Sequence, residues 1–566
     1  MMKKFYLIII SIGLFAITSA QSLQWAKSIG GSCDEKGNDI AIDPSGNVYT
    51  VGNYMCNIDA DPSAGVHTLT YTGSGFTTEI FISKLDLNGN FLWAKSFNGG
   101  SGAFGTALTT DGSGNIYITG DYSGPVDFDP GPSTFTFSGN GCYIVKLNAS
   151  GNFVWAKQFD SYTSPVKVSS DISLDPSGNI YTTGYFRDVL DFDPGPGTYT
   201  LNCTNSNPDN FICKLNASGN FVWAKQISGT YVSESDGLFI DATGNVYTCG
   251  KYGYTADFDP GPGTYTLTSA GSVEGFISKL DNNGNFVWAK PLSVVNGYSE
   301  IFSITGDASG NIFTTGYIDY TVDFDPGPGS YTLATITNGV DEVFVWKLDA
   351  NGNFVWAKQL PGGNGSWGKT IKLDNNGNIF VAGFFEGTVD LDPGPGTYSL
   401  TAGGVSDAFV EKLDPSGNLI FVSQIGGGTN DEVNSIAVVS NILYMTGDFQ
   451  STADFDPGTS IFNMTSVGNS DVFISKWDAY VGIKELQLDN RFHVYPNPLN
   501  EQFNIDLGKT YETVSIEITD PAGRLIYKNS LFNAALTSVL LHEVSGLFFV
   551  SITTEEGHSI HKIIIE

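Results

Sequence analysis

Short runs in which apolar and polar residues alternate recur along most of this chain. One stretch contains such runs at Thr106–Thr110, Ile116–Gly120, Tyr143–Leu147 and Phe153–Lys157. The runs are rich in β-branched and aromatic residues, and turn sequences such as Asp111–Asn115 separate them. No stretch of helical period lies between them. The pattern predicts a unit of four short antiparallel strands.

This four-strand pattern repeats, and three markers recur in a fixed order at intervals of 62 to 68 residues. Trp-Ala-Lys begins at Trp25, Trp93, Trp155, Trp223, Trp288 and Trp356, with a degenerate seventh copy at Phe421. Asp-x-Asp-Pro begins at Asp59, Asp127, Asp191, Asp257, Asp323, Asp390 and Asp454. A Lys that ends an apolar run occurs at Lys84, Lys146, Lys214, Lys279, Lys347, Lys412 and Lys476. Because a repeated four-stranded unit is typical of a propeller blade, the sequence predicts an all-β, seven-bladed β-propeller.

The two ends of the repeat region support a closed ring. The strand Leu23–Lys27 precedes the first blade and has no blade of its own, while the seventh repeat ends at its third strand, Phe473–Trp477. Pairing of these two strands would complete the seventh blade and remove two exposed sheet edges. A linear β-solenoid is the alternative, and it would leave both strands unpaired.

The start of the chain has the pattern of a secretory signal peptide. Lys3 and Lys4 precede an apolar run from Phe5 to Ile17, and Ala20 is the expected cleavage position. No other apolar run reaches the length of a membrane span. The predicted organisation is a signal peptide at 1–20, the propeller at 21–478, a linker at 479–491 and a C-terminal β-sandwich at 492–566.

The C-terminal residues alternate again after the repeats end, which predicts the small β-sandwich. Its expected strands are Phe503–Leu507, Val514–Thr519, Arg524–Tyr527, Leu547–Thr553 and His561–Ile565. Its most specific sequences are Tyr495-Pro496-Asn497-Pro498, Ile516–Tyr527, Ser545–Ile552 and Lys562–Ile565. Together these resemble the type A sorting domain of the type IX secretion system, although Gly-Leu-Phe-Phe stands where Gly-x-Tyr is usual. The resemblance implies a Bacteroidetes-type bacterium, partnership with the type IX machinery, and delivery to the outer membrane exterior or the medium. The repeats likewise resemble bacterial β-propeller repeats of secreted proteins, which implies a fold and no activity.

Charge and residue usage exclude several function classes. The net charge of −32 opposes nucleic-acid binding. The propeller region holds one histidine, His67, and one arginine, Arg187, so a Ser-His-Asp triad or a histidine metal cluster is not expected there. The repeated acids show no departure from symmetry that indicates a catalytic pair. The protein is therefore predicted not to be an enzyme.

Six cysteines are present in a chain that is expected to be exported, where disulfides are permitted. Cys33 with Cys56 and Cys203 with Cys213 are neighbours in sequence. Spacing alone does not determine the pairing.

The Asp-x-Asp-Pro loops have two interpretations. Two carboxylates two residues apart are able to converge on one Ca²⁺ ion, while the residue between them anchors the loop. Alternatively, the Asp side chains cap turns by accepting hydrogen bonds from nearby backbone amides. No cofactor other than Ca²⁺ is suggested. The candidate metal ligands are Asp127, Asp129, Asp191, Asp193, Asp257, Asp259, Asp323 and Asp325.

The connections that lead into each first strand vary between repeats, and they are expected to lie on the same face as the Asp loops. Five of them carry an aromatic residue: Phe104, Tyr162, Tyr231, Tyr298 and Trp367. Aromatics around a propeller mouth are suited to stack on sugar rings or to anchor a protein, and the alternative is that each covers its own blade core. The sequence thus favours an exported, non-catalytic binding or scaffold protein with a glycan or protein ligand. A polysaccharide-active lyase or hydrolase and a purely structural surface protein are the alternatives. An enzyme would show a pocket with unmatched acids in one or two blades.

Overall fold

The computed structural model describes residues 21–73, 75, 77–161, 167–203, 207–458, 460–479, 493–495, 502–519, 524–541, 546–554 and 557–565. The predicted signal peptide, Tyr162, residues 480–491 and Pro496, Asn497 and Pro498 lie outside these ranges. The chain divides into two compact units, one spanning Ala20–Ala479 and one containing Tyr480–Glu566. All regular elements of the described residues are strands, which confirms the all-β class. No helix that could span a membrane occurs among them.

The larger unit contains seven four-stranded antiparallel sheets, called sheets 1 to 7 in chain order of their first strands. The first strands are Glu35–Ile42, Gly102–Thr110, Lys167–Leu174, Ser233–Ile240, Ser299–Gly306, Gly365–Leu373 and Asp431–Val439. The second strands are Val48–Tyr54, Ile116–Ser123, Ile180–Phe186, Val246–Asp257, Ile312–Ile318, Ile379–Glu386 and Ile442–Phe449. The third strands are Glu79–Leu85, Asn140–Leu147, Asp209–Leu215, Thr266–Leu280, Glu342–Leu348, Asp407–Leu413 and Asp471–Asp478. The fourth strands are Phe91–Gly99, Phe153–Ser161, Phe221–Gly229, Phe286–Asn296, Phe354–Leu360, Leu419–Gly427 and, for sheet 7, Ser22–Gly31.

The turn between the first two strands is built the same way in sheets 1 to 6, whereas sheet 7 has the two-residue turn Ser440-Asn441. In sheet 1, Asp43 Oδ1 accepts hydrogen bonds from the amides of Ser45 and Asn47, both at 2.9 Å. Gly46 lies at φ 81°, a backbone region that glycine occupies without strain. The turn therefore follows from the Asp-x-x-Gly-Asn sequence itself.

A row of side chains crosses each sheet and holds its outer strands together. In sheet 1, Tyr49, Lys84 and Trp93 are register partners on successive strands. The Lys84 ammonium lies 4.8 Å from the centre of the Tyr49 ring, and the Trp93 ring meets Tyr49 edge-on at 6.2 Å. Gly151 lies in the turn between the third and fourth strands of sheet 2, and a Cβ on it would lie 3.1 Å from the Trp93 indole. The repeated Trp therefore packs both within its sheet and against the next one.

The connection between second and third strands forms a two-stranded ribbon that extends the preceding sheet. In sheet 2 the ribbon pairs Val126–Asp127 with Thr136–Phe137, and it also pairs with the fourth strand of sheet 1. The separate ribbon strands of the other sheets are Ile58–Asp59 with Thr68–Leu69, Val189–Asp191 with Thr200–Asn202, Thr321–Asp323 with Thr332–Ala334, Thr388–Asp390 with Ser399–Thr401, and Thr452–Asp454 with Asn463–Thr465. In sheet 4 the second and third strands continue directly into the ribbon. Each ribbon thus covers an edge that would otherwise be open.

The N-terminal strand belongs to the last sheet. Ser22–Gly31 runs antiparallel to Asp471–Asp478, with Leu23 opposite Trp477 and Ile29 opposite Val472. The first strands of successive sheets contact one another, and the first strand of sheet 7 contacts that of sheet 1. Asn434 Nδ2 in sheet 7 donates to Gly37 O in sheet 1 at 3.0 Å.

In the described residues of the smaller unit, one antiparallel sheet is formed by His493–Tyr495, Gln502–Thr519, Leu525–Leu540, Gly546–Thr554 and Gly557–Ile565. The predicted β-sandwich stays a prediction. The two strands predicted at Phe503–Leu507 and Val514–Thr519 are one long strand, because the chain passes through a register irregularity between Asp506 and Tyr511 without turning back. Ile505, Ile516 and Val550 are buried in its apolar core.

Candidate functional site

One residue of each first strand is bulged out of the pairing with the second strand. The bulged residues are Asn38, Thr106, Ser170, Asp236, Phe302, Lys369 and Asn434. A bulge leaves one residue unpaired and re-aims its side chain. These residues differ in chemistry from sheet to sheet, so the repeat symmetry is broken at this position.

The first strands of all seven sheets line one cavity of about 510 Å³. Every bulged residue except Asp236 lies on its wall. Cavities of this size hold small ligands or part of a larger one. The asymmetric positions of the fold therefore meet in one place.

An acidic group lies where the first strands of sheets 4 and 5 begin, and it consists of Glu234, Asp236 and Glu300 with Lys251. The Lys251 ammonium is 3.0 Å from Glu234 Oε2 and 2.8 Å from Glu300 Oε1. Burial, together with Glu300 beside it, raises the pKa of Asp236 well above the ordinary aspartate value. Asp236 Oδ2 is buried and has no hydrogen-bond partner among the described residues. Asp236 therefore holds its proton to a higher pH than an exposed aspartate does.

An aromatic group adjoins it and consists of Phe302, Tyr317, Trp367 and Phe384 around Lys369. The Trp367 and Tyr317 rings stack at 5.3 Å with an interplanar angle of 15°, and Phe384 lies 5.4 Å from Trp367. The Lys369 ammonium lies 4.5 Å from the centre of Trp367 and 4.8 Å from that of Phe302. Burial lowers the pKa of Lys369. Contact with ring faces compensates part of the lost hydration of this cation.

One hydrogen bond joins the two groups, because Tyr317 OH donates to Glu300 Oε2 at 3.2 Å. The acidic and aromatic groups together are called the entrance cluster below. In sheets 7 and 1, Lys36 lies 3.7 Å from Glu432 and 3.6 Å from Asp448. Of the entrance cluster, Phe302 and Lys369 lie on the cavity wall.

Two buried aspartates occur deeper along the first strands. Asp39 Oδ2 accepts the amide of Leu108 in the next sheet at 2.8 Å, and Asp171 Oδ2 accepts that of Leu238 at 2.8 Å. Burial raises the pKa of Asp171 to about 7, with Lys372 opposing and Asp39 adding to the effect. These aspartates tie neighbouring sheets together.

The predicted metal ligands are all engaged by backbone amides in the same way. Asp127 Oδ1 accepts from the amides of Asp129 at 3.1 Å and Phe135 at 2.8 Å, and Asp129 Oδ1 accepts from Gly131 at 2.8 Å. Phe128, between the two aspartates, is buried and anchors the ribbon. In the described part of the chain, no three His, Cys, Asp or Glu residues are arranged to hold a metal ion. Ca²⁺ binding by these loops stays a prediction.

The predicted aromatic ligand contacts occur in two kinds of position, and their joint role in binding stays a prediction. Phe104 and Trp367 lie inside first strands, where connections were expected, at equivalent positions two residues before the bulge. Only Trp367 is part of the entrance cluster. Tyr231 and Tyr298 lie in connections and are 45% and 49% exposed, and Tyr231 meets Tyr254 edge-on at 5.3 Å.

Sequence reasoning missed Glu234, Asp236, Lys251, Glu300 and Lys369. A sequence signal for Asp236 was nevertheless present. When the seven first strands are aligned on the apolar residue two positions after the bulge, the other strands have Asn, Thr, Ser, Phe or Lys at the position of Asp236. An enzyme is expected to show a pocket with unmatched acids in one or two blades. Glu234, Asp236 and Glu300 are unmatched but do not line the cavity, whereas Asp39 and Asp171, in sheets 1 and 3, do.

Comparison with known proteins identifies the delivery of the chain and the class of its repeats. Residues 493–566 match the secretion system C-terminal sorting domain, and residues 24–53 match a β-propeller repeat. The chain therefore carries a type IX sorting domain behind β-propeller repeats. It is exported by that system to the cell surface or the extracellular space, which implies interaction with the secretion machinery.

Two longer proteins resemble most of the chain. The uncharacterized WD repeat-containing protein L264 of Acanthamoeba polyphaga mimivirus is 26% identical, over 76% of this chain and 36% of that protein. The regulatory protein FlaEY of Caulobacter vibrioides is 23% identical, over 75% of this chain and 44% of that protein. The chain thus spans less than half the length of either relative.

A solved structure of leech intramolecular trans-sialidase with 2,7-anhydro-Neu5Ac is 10% identical and covers 97% of this chain and 88% of that one. Its TM-score is 0.18, and a score this low supports no inference about fold or function.

Proposed function

We propose that this protein is an exported seven-bladed β-propeller with a C-terminal β-sandwich, and that it binds a glycan at the entrance cluster without transforming it. Seven equivalent sheets and the pairing of Ser22–Gly31 with Asp471–Asp478 support a closed ring. The sorting domain places the propeller outside the cell, where glycans are abundant ligands.

The observation that carries the glycan proposal is the stack of Trp367 on Tyr317 beside the hydrogen-bonding groups of Glu300 and Lys251. Aromatic rings contact the apolar face of a sugar, and carboxylates with an ammonium group bind its hydroxyls. Trp367 and Tyr317 are partly exposed. Phe302 and Lys369 of the cluster also line the cavity, whose size favours a small unit such as a sugar over a flat protein surface.

Lys369 indicates the charge of the ligand. Among the described residues no carboxylate lies within salt-bridge distance of its ammonium group, although the chain carries a net charge of −32. A cation held against rings without an anion retains the capacity to bind one. We therefore expect an acidic sugar, with its carboxylate at Lys369 and its ring on the aromatic group.

The test is titration of the full chain with neutral and acidic oligosaccharides, beginning with those selected on a glycan array. Trp367→Ala is expected to weaken all glycan binding by about tenfold or more. Lys369→Met is expected to weaken only acidic ligands and to abolish the salt dependence of their affinity.

Tyr298→Ala, an exposed aromatic outside the cluster, is the matched control and should bind normally. Circular dichroism establishes that each variant is folded. Absence of saturable binding, or equal binding by Trp367→Ala and the wild type, would remove the glycan proposal and favour a protein partner or a passive scaffold.

A second candidate is a polysaccharide lyase or hydrolase, and Asp236 is the observation that favours it. A carboxyl whose pKa is raised by burial and by a neighbouring carboxylate side chain, Glu300, is a feature of general acids. Incubation of the protein with the bound polysaccharide distinguishes the two candidates. Products released by the wild type and not by Asp236→Asn would establish the enzyme, and intact polysaccharide would leave the binding protein.

A further inference from the structure

Cys33 and Cys56 lie on two chain segments that run antiparallel beside each other. Cys33 follows the strand Ser22–Gly31, and Cys56 follows the second strand of sheet 1. Gly30 is the register partner of Asp59, and Gly31 is the partner of Ile58. Cys33 lies two residues after Gly31 and Cys56 two residues before Ile58, so both cysteines lie at the end of this pairing.

The side chains agree with the register. Ser32 Oγ lies 4.0 Å from Cys33 Sγ and 3.5 Å from Cys56 Sγ, so one hydroxyl contacts both sulfurs. Both cysteines are thiols in this structure and both are partly exposed. The Cys56 thiol also has Cys33 as a side-chain hydrogen-bond partner, so the two sulfurs are neighbours.

We propose that Cys33 and Cys56 form a disulfide in the exported protein. Each thiol loses its proton, a bond forms between the two sulfurs, and two electrons pass to a disulfide of a thiol oxidant, which is reduced to two thiols. The sorting domain provides the context, because chains that leave the cytoplasm meet such oxidants. The bond is independent of any ligand at the entrance cluster.

The position of this bond gives it a structural role. Cys33 O accepts a hydrogen bond from the amide of Asn469 at 3.0 Å, and the amide of Glu35 donates to Ser470 O at 3.0 Å. The cysteines therefore lie where the N-terminal strand, sheet 1 and the last connection of sheet 7 meet. The disulfide would fasten the strand that completes sheet 7 to sheet 1.

The remaining cysteines provide an internal comparison. Cys142, Cys203, Cys213 and Cys249 are buried, and each lies in an apolar core cluster. Burial raises the pKa of Cys213 and Cys249 far above the ordinary thiol value. These four should stay thiols.

The test is mass spectrometry of the full chain, refolded in a glutathione redox buffer and then alkylated with N-ethylmaleimide in denaturant. Four of the six cysteines should be alkylated, and proteolysis should yield one peptide pair joined through Cys33 and Cys56. Cys33→Ser and Cys56→Ser should each show five alkylated cysteines. Cys203→Ser is the matched control and should show three alkylated cysteines and keep the linked pair.

A thermal melt tests the structural role. Reductant should lower the melting temperature of the wild type and leave that of the Cys33→Ser, Cys56→Ser double variant unchanged. Six alkylated cysteines in the wild type, or a linked pair between other positions, would overturn the proposal.

Discussion

Replacement of Glu35 by Gln should stabilise the protein at alkaline pH and leave it unchanged in acid. Glu35 begins the first strand of sheet 1 and is only 1% exposed. Its Oε2 accepts a hydrogen bond from the Gly31 amide at 2.9 Å, which the amide oxygen of Gln is able to accept as well. Burial raises the pKa of Glu35 to about 7, the Gly31 amide opposes this, and the charge of Asp471 adds to it.

The direction follows from proton binding in the two states. The folded protein holds a proton on Glu35 up to about pH 7, whereas the unfolded chain releases it near 4.5. The contribution of protonated Glu35 to the free energy of unfolding is therefore fully present below about pH 4.5 and is lost as the pH rises through about 7. A rise in pKa from 4.5 to about 7 corresponds to about 3 kcal/mol, at about 1.4 kcal/mol per pH unit. Gln stays neutral and avoids this loss.

The assay is urea unfolding of wild type and Glu35→Gln, followed by tryptophan fluorescence at pH 5 and pH 8. We expect nearly equal free energies of unfolding at pH 5 and an advantage of about 1–3 kcal/mol for the variant at pH 8. Glu386→Gln, at the end of the second strand of sheet 6, is the matched control. An advantage that is the same at both pH values, or a variant that is less stable at pH 8, would refute the reasoning.

Two further predictions concern the Asp-x-Asp-Pro ribbons. Phe258→Ala should lower the free energy of unfolding, measured in urea, by about 3–5 kcal/mol. The reason is that Phe258 is fully buried and its ring lies 5.5 Å from that of Tyr252 and 5.0 Å from that of Phe276. Ile461→Ala is the control and should change the free energy of unfolding little, because the Ile461 side chain is 75% exposed. Chelator should leave the melting temperature unchanged, because backbone amides already donate to Oδ1 of both Asp127 and Asp129 and stabilise the loop. An increase with added Ca²⁺ in a calorimetric melt would instead establish the metal interpretation.

The repeated features of this fold were accessible from sequence because each is local. Alternation predicts the strands, Asp-x-x-Gly-Asn predicts the turns, and a buried residue between two aspartates predicts the ribbon anchor, as Phe128 shows. The N-terminal strand was assigned to sheet 7 by counting strands, and the structure pairs it there.

The candidate site was not accessible in this way, because it depends on which residue of each first strand is left unpaired. Asp236 and Lys369 are bulges in the register between the first and second strands of their sheets, and this register cannot be predicted from the sequence of either strand alone. Phe104 and Trp367 were expected in connections, yet both lie inside the first strands Gly102–Thr110 and Gly365–Leu373. In the C-terminal sheet, Gly508 at φ 73° suggests a turn, but the strand continues beyond it.

The ribbons give this architecture a simple rule for growth by gene duplication. Each repeat donates a ribbon to the sheet before it and receives one from the repeat after it, as sheet 2 does for sheet 1. A duplicated segment that contains one whole repeat therefore carries both the donating and the receiving edge, wherever its end points fall. An insertion of half a repeat would leave one edge uncovered and one ribbon without a sheet. Pairing of each ribbon with the neighbouring sheet thus favours duplication of whole repeats. The bulged residue of each new repeat takes no part in strand pairing, so substitutions at this position leave the pairing intact.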